Sequence, residues 1–172
     1  MKSIFESQGG KLSGLAQRYA KNNEQALDMF VHCFDEAIGK MQQKQITAED
    51  FEKIFEKEFI IACVTYVKNI RSEYYVSSTV FAREEENKNY NLFESNEWID
   101  YNHTDVAVLI KSLQQLVPSQ RMVFNLHVVD GFSLAEATEL LESGEETVKS
   151  NLEKARYNLQ KNIEKNLKET KP

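Results

Sequence analysis

The segment from Pro118 to Leu159 reads PSQRMVFNLHVVDGFSLAEATELLESGEETVKSNLEKARYNL, and its local signals organise the rest of the chain. Pro118 suits the first position of a helix, because its missing N–H lies where that donor would be unpaired anyway. Gly131 suits the left-handed residue that follows a helix end. The segment therefore begins with a helix that starts at Pro118 and stops before Gly131.

Two more helices follow after short turns. Ser133 and Glu136 have the spacing of a capping box, in which each side chain accepts a hydrogen bond from the backbone N–H of the other residue. This helix has room only to about Leu141 before Gly144, and Thr147 then opens a last, charged helix. A short helix, a turn that contains glycine and a second helix predict a helix-turn-helix, whose second helix fits a DNA major groove.

The composition indicates a small helical protein without a membrane segment. The chain has 172 residues and only two prolines, which favours one or two helical domains. Cys33 and Cys63 lie at apolar helical positions, so reduced thiols inside a cell are favoured over a disulfide. The first three residues lack an apolar secretory core, and the longest apolar run, 59–67, is too short to span a bilayer. We expect a cytoplasmic protein without membrane insertion.

Charge is divided unevenly within the C-terminal part. The net charge of −6 argues against general nucleic-acid binding. Residues 130–146 hold six acids and no base, whereas the residues from 149 onward hold seven bases and three acids. Positive charge is therefore concentrated on the second helix of the helix-turn-helix and its tail.

Helical periodicity also runs through the first half of the chain. After a short arm that ends at Gly9-Gly10, we expect a helix from Lys11 to Ala20 and then a long helix capped by Asn23. The apolar residues of the long helix recur at three-and-four spacing: Ala26, Met29, Phe30, Cys33, Phe34, Ala37, Ile38 and Met41. Its other face, for which solvation is the simplest interpretation, carries Glu24, Asp28, His32 and Asp35.

A third helix starts at Thr47 with Asp50. The dense apolar run 59–67 could be a buried strand, but apolar residues continue at helical spacing to Ile70 and Tyr74, which favours helix. Basic, polar and aromatic residues share the opposite face: Lys68, Arg71, Ser72 and Tyr75. Such a face can bind single-stranded nucleic acid through phosphates and base stacking, or it can simply be solvated.

The periodicity is lost between the two halves. Residues 77–104 hold six acids and two bases, which is typical of a linker. Thr104 then caps a helix whose apolar side holds Val106, Leu109, Ile110, Leu113 and Leu116. We therefore predict an all-α protein with two small helical domains, residues 1–76 and 105–172, joined by a flexible acidic linker, residues 77–104.

No group of residues has the spacing of a catalytic or metal site. His32, His103 and His127 lack metal-ligand spacing to each other or to the cysteines, and no phosphate loop or nucleophile motif is found. We predict no enzyme activity, no metal and no cofactor.

A set of positions between Leu116 and Leu159 follows a known pattern: Pro118, Arg121, Val123, Phe124, Leu126, Gly131, Phe132, Ser133, Glu136, Leu140, Thr147, Val148, Lys149, Ser150, Leu152, Ala155, Arg156 and Leu159. These residues resemble region 4 of the bacterial RNA polymerase sigma factors of the extracytoplasmic-function group. The first half resembles region 2 of the same group less closely, at Ala26-Leu27-Asp28, Phe34 and Val67-Lys68-Asn69.

The resemblance implies a sigma factor that binds core RNA polymerase and directs promoter-specific initiation of transcription. The polar face of the second helix would dock on core polymerase through Asp28, His32 and Asp35. The third helix and the loop after it would capture flipped bases of the −10 element through Lys68, Asn69, Arg71 and Tyr75.

The last helix would read the −35 element of the promoter DNA as a duplex. Its buried stripe would be Val148, Leu152, Ala155 and Leu159, which leaves an outward set of Lys149, Ser150, Lys154, Tyr157 and Lys161. Lys149 and Ser150 are best placed for base edges, whereas Lys154 and Lys161 would mainly contact phosphates. The resemblance also implies an anti-sigma factor or other regulatory protein as a partner.

Several residues depart from the family's pattern. The turn at residues 141–144 reads Leu-Glu-Ser-Gly in place of Leu-Gly-Ile-Ser, Asn151 replaces an arginine, and Glu146 and Glu153 lie near the expected phosphate path. We expect weak, salt-dependent DNA binding by the free protein, which becomes tolerable when polymerase holds both domains over the promoter.

Two alternatives to a sigma factor stay open. The acidic departures favour a degenerate sigma-like adaptor or decoy that binds polymerase or a regulator without reading DNA. A response-regulator type of helix-turn-helix protein would require an α/β receiver domain upstream, whereas the first hundred residues show helical periodicity.

Overall fold

The structure is a computed structural model that describes residues 2–42, 47–70 and 104–169. The chain divides into two compact units, residues 1–70 and 71–172. Every regular element in the described ranges is a helix and none is a strand, so the prediction of an all-α protein is confirmed. Most of the predicted linker, together with Arg71, Ser72, Tyr74 and Tyr75, lies outside the described residues.

The N-terminal unit contains three helices: α1 (Lys2–Tyr19), α2 (Asn23–Gln42) and α3 (Ala48–Asn69). Of the predicted α2 stripe, Ala26, Met29, Cys33, Ala37 and Met41 are buried, and the other members are partly buried. Gln25, which lies outside the stripe, is buried as well. Aromatic rings join α2 to α3, with Phe34 edge-on to Phe55 at a centroid distance of 5.5 Å. The run 59–67 is helical, as its periodicity predicts, because a helix buries Phe59, Cys63 and Val67 on one side.

The prediction that a separate arm ends at Gly9-Gly10 is wrong. Helix α1 runs through both glycines without a break. Two glycines weaken a helix by roughly 1 kcal/mol each, which is less than the stabilisation available from burying side chains. Leu12, Leu15 and Tyr19 are buried one turn apart, and this packing sustains the helix.

The start of α2 differs from the prediction by one residue, whereas the start of α3 agrees with it. Asn22 caps α2, since its side-chain oxygen accepts a hydrogen bond from the Gln25 N–H at 2.8 Å and Asn23 is already helical. Thr47 caps α3 and accepts a hydrogen bond from the Asp50 N–H at 3.3 Å. Helix α3 ends at Asn69, whereas the apolar periodicity that predicted it continues to Ile70 and Tyr74.

The C-terminal unit contains the four predicted helices: α4 (Val106–Gln114), α5 (Pro118–Phe124, continued by a π-helical turn at Asn125–Val129), α6 (Leu134–Leu141) and α7 (Glu145–Glu169). Asp105, not Thr104, caps α4, because its carboxylate accepts a hydrogen bond from the Ala107 N–H at 2.9 Å. Val106 is exposed, although it was predicted on the buried side, because the side of α4 that holds Val108, Ser112 and Leu113 is the buried one.

The C-terminal half of α7 packs along α4. Val108, Leu113 and Leu116 form one apolar cluster with Ala155, Leu159 and Ile163 of α7. Polar contacts lie beside this cluster. The side-chain amide of the buried Asn166 donates to the Ser112 hydroxyl at 2.8 Å and to the side-chain amide oxygen of Gln115 at 3.1 Å. Buried amides satisfied in this way fix the register of two helices more narrowly than apolar contacts do.

Two further sequence predictions concern the cysteines and membrane segments. Cys33 and Cys63 are buried and not bonded to each other. Within residues 2–42, 47–70 and 104–169, no helix is both long and apolar enough to cross a membrane.

Candidate nucleic-acid interface

The first turn of the candidate interface joins α5 to α6. Gly131 adopts φ +75°, the left-handed conformation that its sequence position predicts. The Phe132 N–H donates to the Leu126 carbonyl at 2.9 Å and closes the helix end. His127 lies 2.8 Å from the Phe132 carbonyl through its Nδ1 atom, and because a carbonyl only accepts, Nδ1 carries the proton. This turn is therefore held by backbone and side-chain hydrogen bonds together.

The capping box at the start of α6 is present as predicted. The Ser133 N–H donates to the Glu136 carboxylate at 2.9 Å, and the Glu136 N–H donates to the Ser133 hydroxyl at 3.2 Å. Two N–H groups that a helix start leaves unpaired are satisfied by this exchange. The box sets the direction in which α6 leaves Gly131.

The second turn, between α6 and α7, uses a non-glycine residue in a left-handed conformation. Glu142 follows α6 with φ 51° and ψ 42°, and the Ser143 N–H donates to the Thr138 carbonyl at 3.3 Å. Gly144 comes two residues later, and its carbonyl accepts from the Val148 N–H at 3.0 Å. Helix α7 consequently begins at Glu145, two residues before the predicted Thr147.

Replacing Glu142 with glycine is expected to stabilise the C-terminal domain by about 0.5–1 kcal/mol. A side chain in the left-handed region costs roughly 1–2 kcal/mol, of which the greater freedom of glycine in the unfolded state cancels a part. Thermal unfolding of the full chain measures the change. Gly131→Ala is the opposite control, because it places a Cβ on a left-handed residue and should lower the stability by a similar amount.

Helix α7 buries the predicted stripe. Val148, Leu152, Ala155 and Leu159 are all buried, and Ile163 continues the same side. Ala137 and Leu141 of α6 are buried as well. Helices α6 and α7 therefore both bury apolar side chains, although the turn between them lacks the apolar residue of the pattern that it resembles.

The five predicted DNA-reading residues do not share one line along α7. At about 100° per residue, Ser150, Lys154, Tyr157 and Lys161 lie within roughly 60° of each other, opposite the buried stripe. The Lys161 ammonium lies 4.3 Å from the centroid of the Tyr157 ring. Lys149 lies about 100° away from Ser150, on the flank of the helix. The structure therefore brings four of the five residues together and separates the fifth.

Lys149 forms an ion pair within its own helix. Its ammonium lies 2.6 Å from a Glu145 carboxylate oxygen, one turn earlier, and both side chains are exposed. The hydrogen bond from Lys149 and its positive charge lower the pKa of Glu145 below the ordinary value of 4.5. The pair is therefore formed at neutral pH and is lost only as the pH falls through that lowered pKa.

The predicted single-strand face is described only in part. Lys68 is half-buried and Asn69 is exposed at the end of α3. Arg71 and Tyr75 lie outside the described residues. The structure thus shows Lys68 and Asn69 at the edge of this candidate face.

The predicted docking residues share one exposed face of α2. Asp28, His32 and Asp35 are all exposed and lie within roughly 60° of each other around the helix axis. The His32 ring lies 5.4 Å from the Tyr66 ring of α3, centroid to centroid. These three polar side chains are therefore brought together.

Two apolar residues beside that face were not predicted as part of a docking surface. Leu27 is 71% exposed and Val31 is 62% exposed, one turn apart on α2. Large apolar side chains adjacent on an exposed helix face favour contact with another protein. The signal was present in the sequence, since both residues are apolar yet fall outside the stripe of Met29, Cys33 and Ala37.

No group of histidine, cysteine and acidic side chains within the described residues could hold a metal ion.

Comparison with known proteins identifies similarity in both halves. Residues 107–159 match the family model described as sigma-70, region 4. The fold is similar to that of the sigma factor RpoE from Bartonella quintana, solved in complex with the anti-sigma factor NepR, with 21% sequence identity and a TM-score of 0.53 over 95% of this chain and 96% of that one. Among curated proteins, none matches the chain. The family model confirms the predicted resemblance of the C-terminal segment to sigma region 4, and the likeness to RpoE shows that the fold is shared.

Proposed function

We propose that the chain is a sigma factor of the extracytoplasmic-function type that binds core RNA polymerase and directs initiation at a distinct set of promoters. The match of residues 107–159 to the family model of sigma-70 region 4 supports this proposal. The observation that carries the proposal is the helix-turn-helix of α6 and α7, with its stripe buried and Ser150, Lys154 and Lys161 outward. A cytoplasmic location is part of the proposal.

The two domains divide the promoter between them in this proposal. Helix α7 enters the major groove at the −35 element, where Lys149 and Ser150 contact base edges and Lys154, Tyr157 and Lys161 contact the backbone. The end of α3 and the residues after it engage the −10 element, where Lys68, Asn69, Arg71 and Tyr75 hold unpaired bases by hydrogen bonds and stacking. The domain boundaries, 1–76 and 105–172 with the linker 77–104 between them, belong to the same proposal.

The exposed face of α2 is the proposed docking surface for core polymerase. Asp28, His32 and Asp35 supply its charge and Leu27 and Val31 supply apolar area. A surface with an apolar centre and a polar rim has the composition of a protein interface. An anti-sigma factor is a second proposed partner, since the similar RpoE is solved with one.

Co-purification and run-off transcription together test the proposal. The tagged full-length chain is mixed with core polymerase, and the complex is supplied with a genomic promoter library. A sigma factor is expected to elute with core enzyme and to yield discrete transcripts that core enzyme alone does not make. Failure to bind core polymerase would refute the proposal.

Asp28→Arg is expected to weaken binding to core polymerase about tenfold. The substitution reverses one exposed charge on the α2 face, and a reversed charge at an interface mainly slows association. Fluorescence titration of labelled chain with core enzyme measures the affinity. Glu164→Arg also reverses an exposed acid, but on α7 in the other domain, and should leave the affinity unchanged. Equal losses in both variants would place the docking surface elsewhere.

A second candidate function, a decoy on polymerase, is favoured by the acids around the helix-turn-helix. Glu136, Glu139, Glu142, Glu146 and Glu153 are all exposed there, and each repels phosphate. A decoy would bind core polymerase with an affinity like that of a sigma factor but would yield no transcript from any member of the library. The same run-off assay therefore separates the two functions.

A further inference from the structure

The Glu145–Lys149 ion pair places a carboxylate and an ammonium side by side at the start of α7. The distance between the two charged groups is 2.6 Å. Both side chains are exposed, Lys149 to 54% and Glu145 to 63%. In helix-turn-helix proteins the first turns of the second helix are the part that reaches base edges. The pair lies in these first turns, on the flank of α7 and not on the line of Ser150, Lys154 and Lys161, and one of its members is an acid.

An acid at this position is unfavourable near phosphates unless something compensates for it. Lys149 provides that compensation, because the pair is electrically neutral as a unit. A neutral pair releases no net counterions on binding DNA, so it cannot serve mainly to raise affinity. The pair instead offers DNA one hydrogen-bond donor, the Lys149 ammonium, and one acceptor, the Glu145 carboxylate, at a fixed spacing.

The major-groove edges of a G·C base pair offer the complementary groups. Guanine presents the O6 and N7 acceptors, which suit an ammonium, and cytosine presents the N4 amino donor, which suits a carboxylate. The O6 and N4 atoms of one base pair lie within hydrogen-bond distance of each other, much as the two charged groups of Lys149 and Glu145 do. An A·T pair reverses the donor and acceptor on these atoms and would face each charged group with the wrong partner.

We infer that Glu145 and Lys149 act together to specify one G·C base pair of the −35 element, with Lys149 donating to guanine and Glu145 accepting from cytosine. The inference rests on the proposed function, since it requires α7 to enter the major groove. It assigns Glu145 as a specificity-determining residue, although an acid so close to DNA would otherwise count against DNA binding.

The test measures base preference separately from affinity. Full-length chain bound to core polymerase transcribes a promoter library in which twelve base pairs of the upstream element are randomised, and the transcripts are sequenced. The variants are Glu145→Gln, Lys149→Gln and the double variant. The controls are Glu164→Gln and Lys165→Gln, which change the same charges on exposed residues about 24–28 Å further along α7.

The double variant is expected to lose about tenfold preference for G·C at a single position, while preferences at the other positions stay within twofold. A second measurement is the affinity for promoter DNA at several salt concentrations. The slope of log affinity against log salt concentration should be unchanged in the double variant, steeper by about 0.9 in Glu145→Gln and shallower by about 0.9 in Lys149→Gln. Both controls should keep the wild-type preference. Circular dichroism of each variant checks that the helices are retained.

Each other outcome overturns the inference in a different way. If Glu145→Gln raises transcription uniformly and changes no base preference, the acid only repels DNA and the inference is wrong while the proposed function stands. If the single variants relax two different positions, the residues read separate base pairs and do not act as a unit. If the unmodified chain binds core polymerase but transcribes no library member, the proposed promoter function fails together with the inference.

Discussion

Replacing Arg121 with methionine is expected to destabilise the C-terminal domain by about 3–5 kcal/mol. The Arg121 side chain is 1% exposed, and its guanidinium donates to the Leu116 carbonyl at 2.7 Å and to the Gln114 carbonyl at 3.1 Å. The Gln114 carbonyl is among the last C=O groups of α4, which a helix leaves without intrahelical partners, and the Leu116 carbonyl lies two residues beyond the helix end. Methionine fills much of the space but donates no hydrogen bond, and each buried acceptor left unpaired costs roughly 1–3 kcal/mol.

The effect of Arg121→Met is measured by urea unfolding of the full-length chain, followed by circular dichroism. Arg156→Met is the matched control, because Arg156 is an exposed arginine on α7 and its loss should cost less than about 0.5 kcal/mol. Arg121→Lys keeps the charge but replaces the planar guanidinium with a single ammonium, and should fall between the two. A stability equal to wild type for Arg121→Met would show that the hydrogen bonds at the end of α4 are not needed.

The double substitution Leu27→Arg and Val31→Arg is expected to weaken binding to core polymerase about 100-fold without unfolding the N-terminal domain. Both side chains are exposed in the free chain, so charges there do not disturb its core. Burying a leucine and a valine in an interface contributes roughly 1.5–3 kcal/mol each, and about 1.4 kcal/mol corresponds to a tenfold change in affinity. The pair is therefore worth more than the rim charge at Asp28.

Competition for core polymerase against an unmodified chain measures this loss. Val106→Arg serves as the control, because Val106 is as exposed as Leu27 but lies at the start of α4. Melting of the double variant should match wild type, which excludes misfolding as the cause. A double variant that competes as well as the unmodified chain would remove the α2 face from the proposed interface.

Local signals in the sequence predicted most of the C-terminal domain. Pro118 begins a helix, Gly131 is left-handed, and Ser133 and Glu136 form the capping box. Each of these features depends on hydrogen bonds and dihedral angles within a few residues, so the sequence contains the information that decides it. The buried stripe of α7 was predictable for the same reason, because its spacing follows the helix period.

Features that depend on distant residues were not predictable in this way. Helix α1 continues through Gly9-Gly10 because Leu12, Leu15 and Tyr19 are buried. Val106, at the start of α4, is exposed because the buried side of that helix holds Val108, Ser112 and Leu113. The roles assigned to Lys149, Asp28 and the other site residues are still predictions. Their positions are known, but the proteins and DNA that would contact them are partners outside the chain.

The sequence by itself determined an all-α chain with a C-terminal helix-turn-helix, because caps, turns and apolar periodicity act over short distances. Only the tertiary structure decided which polar and apolar groups are buried or exposed. It buried the polar side chains of Arg121, near the end of α4, and of Asn166, against Ser112. The physical reason is that burial and side-chain pairing depend on how the helices pack and how side chains orient, which a linear pattern does not specify.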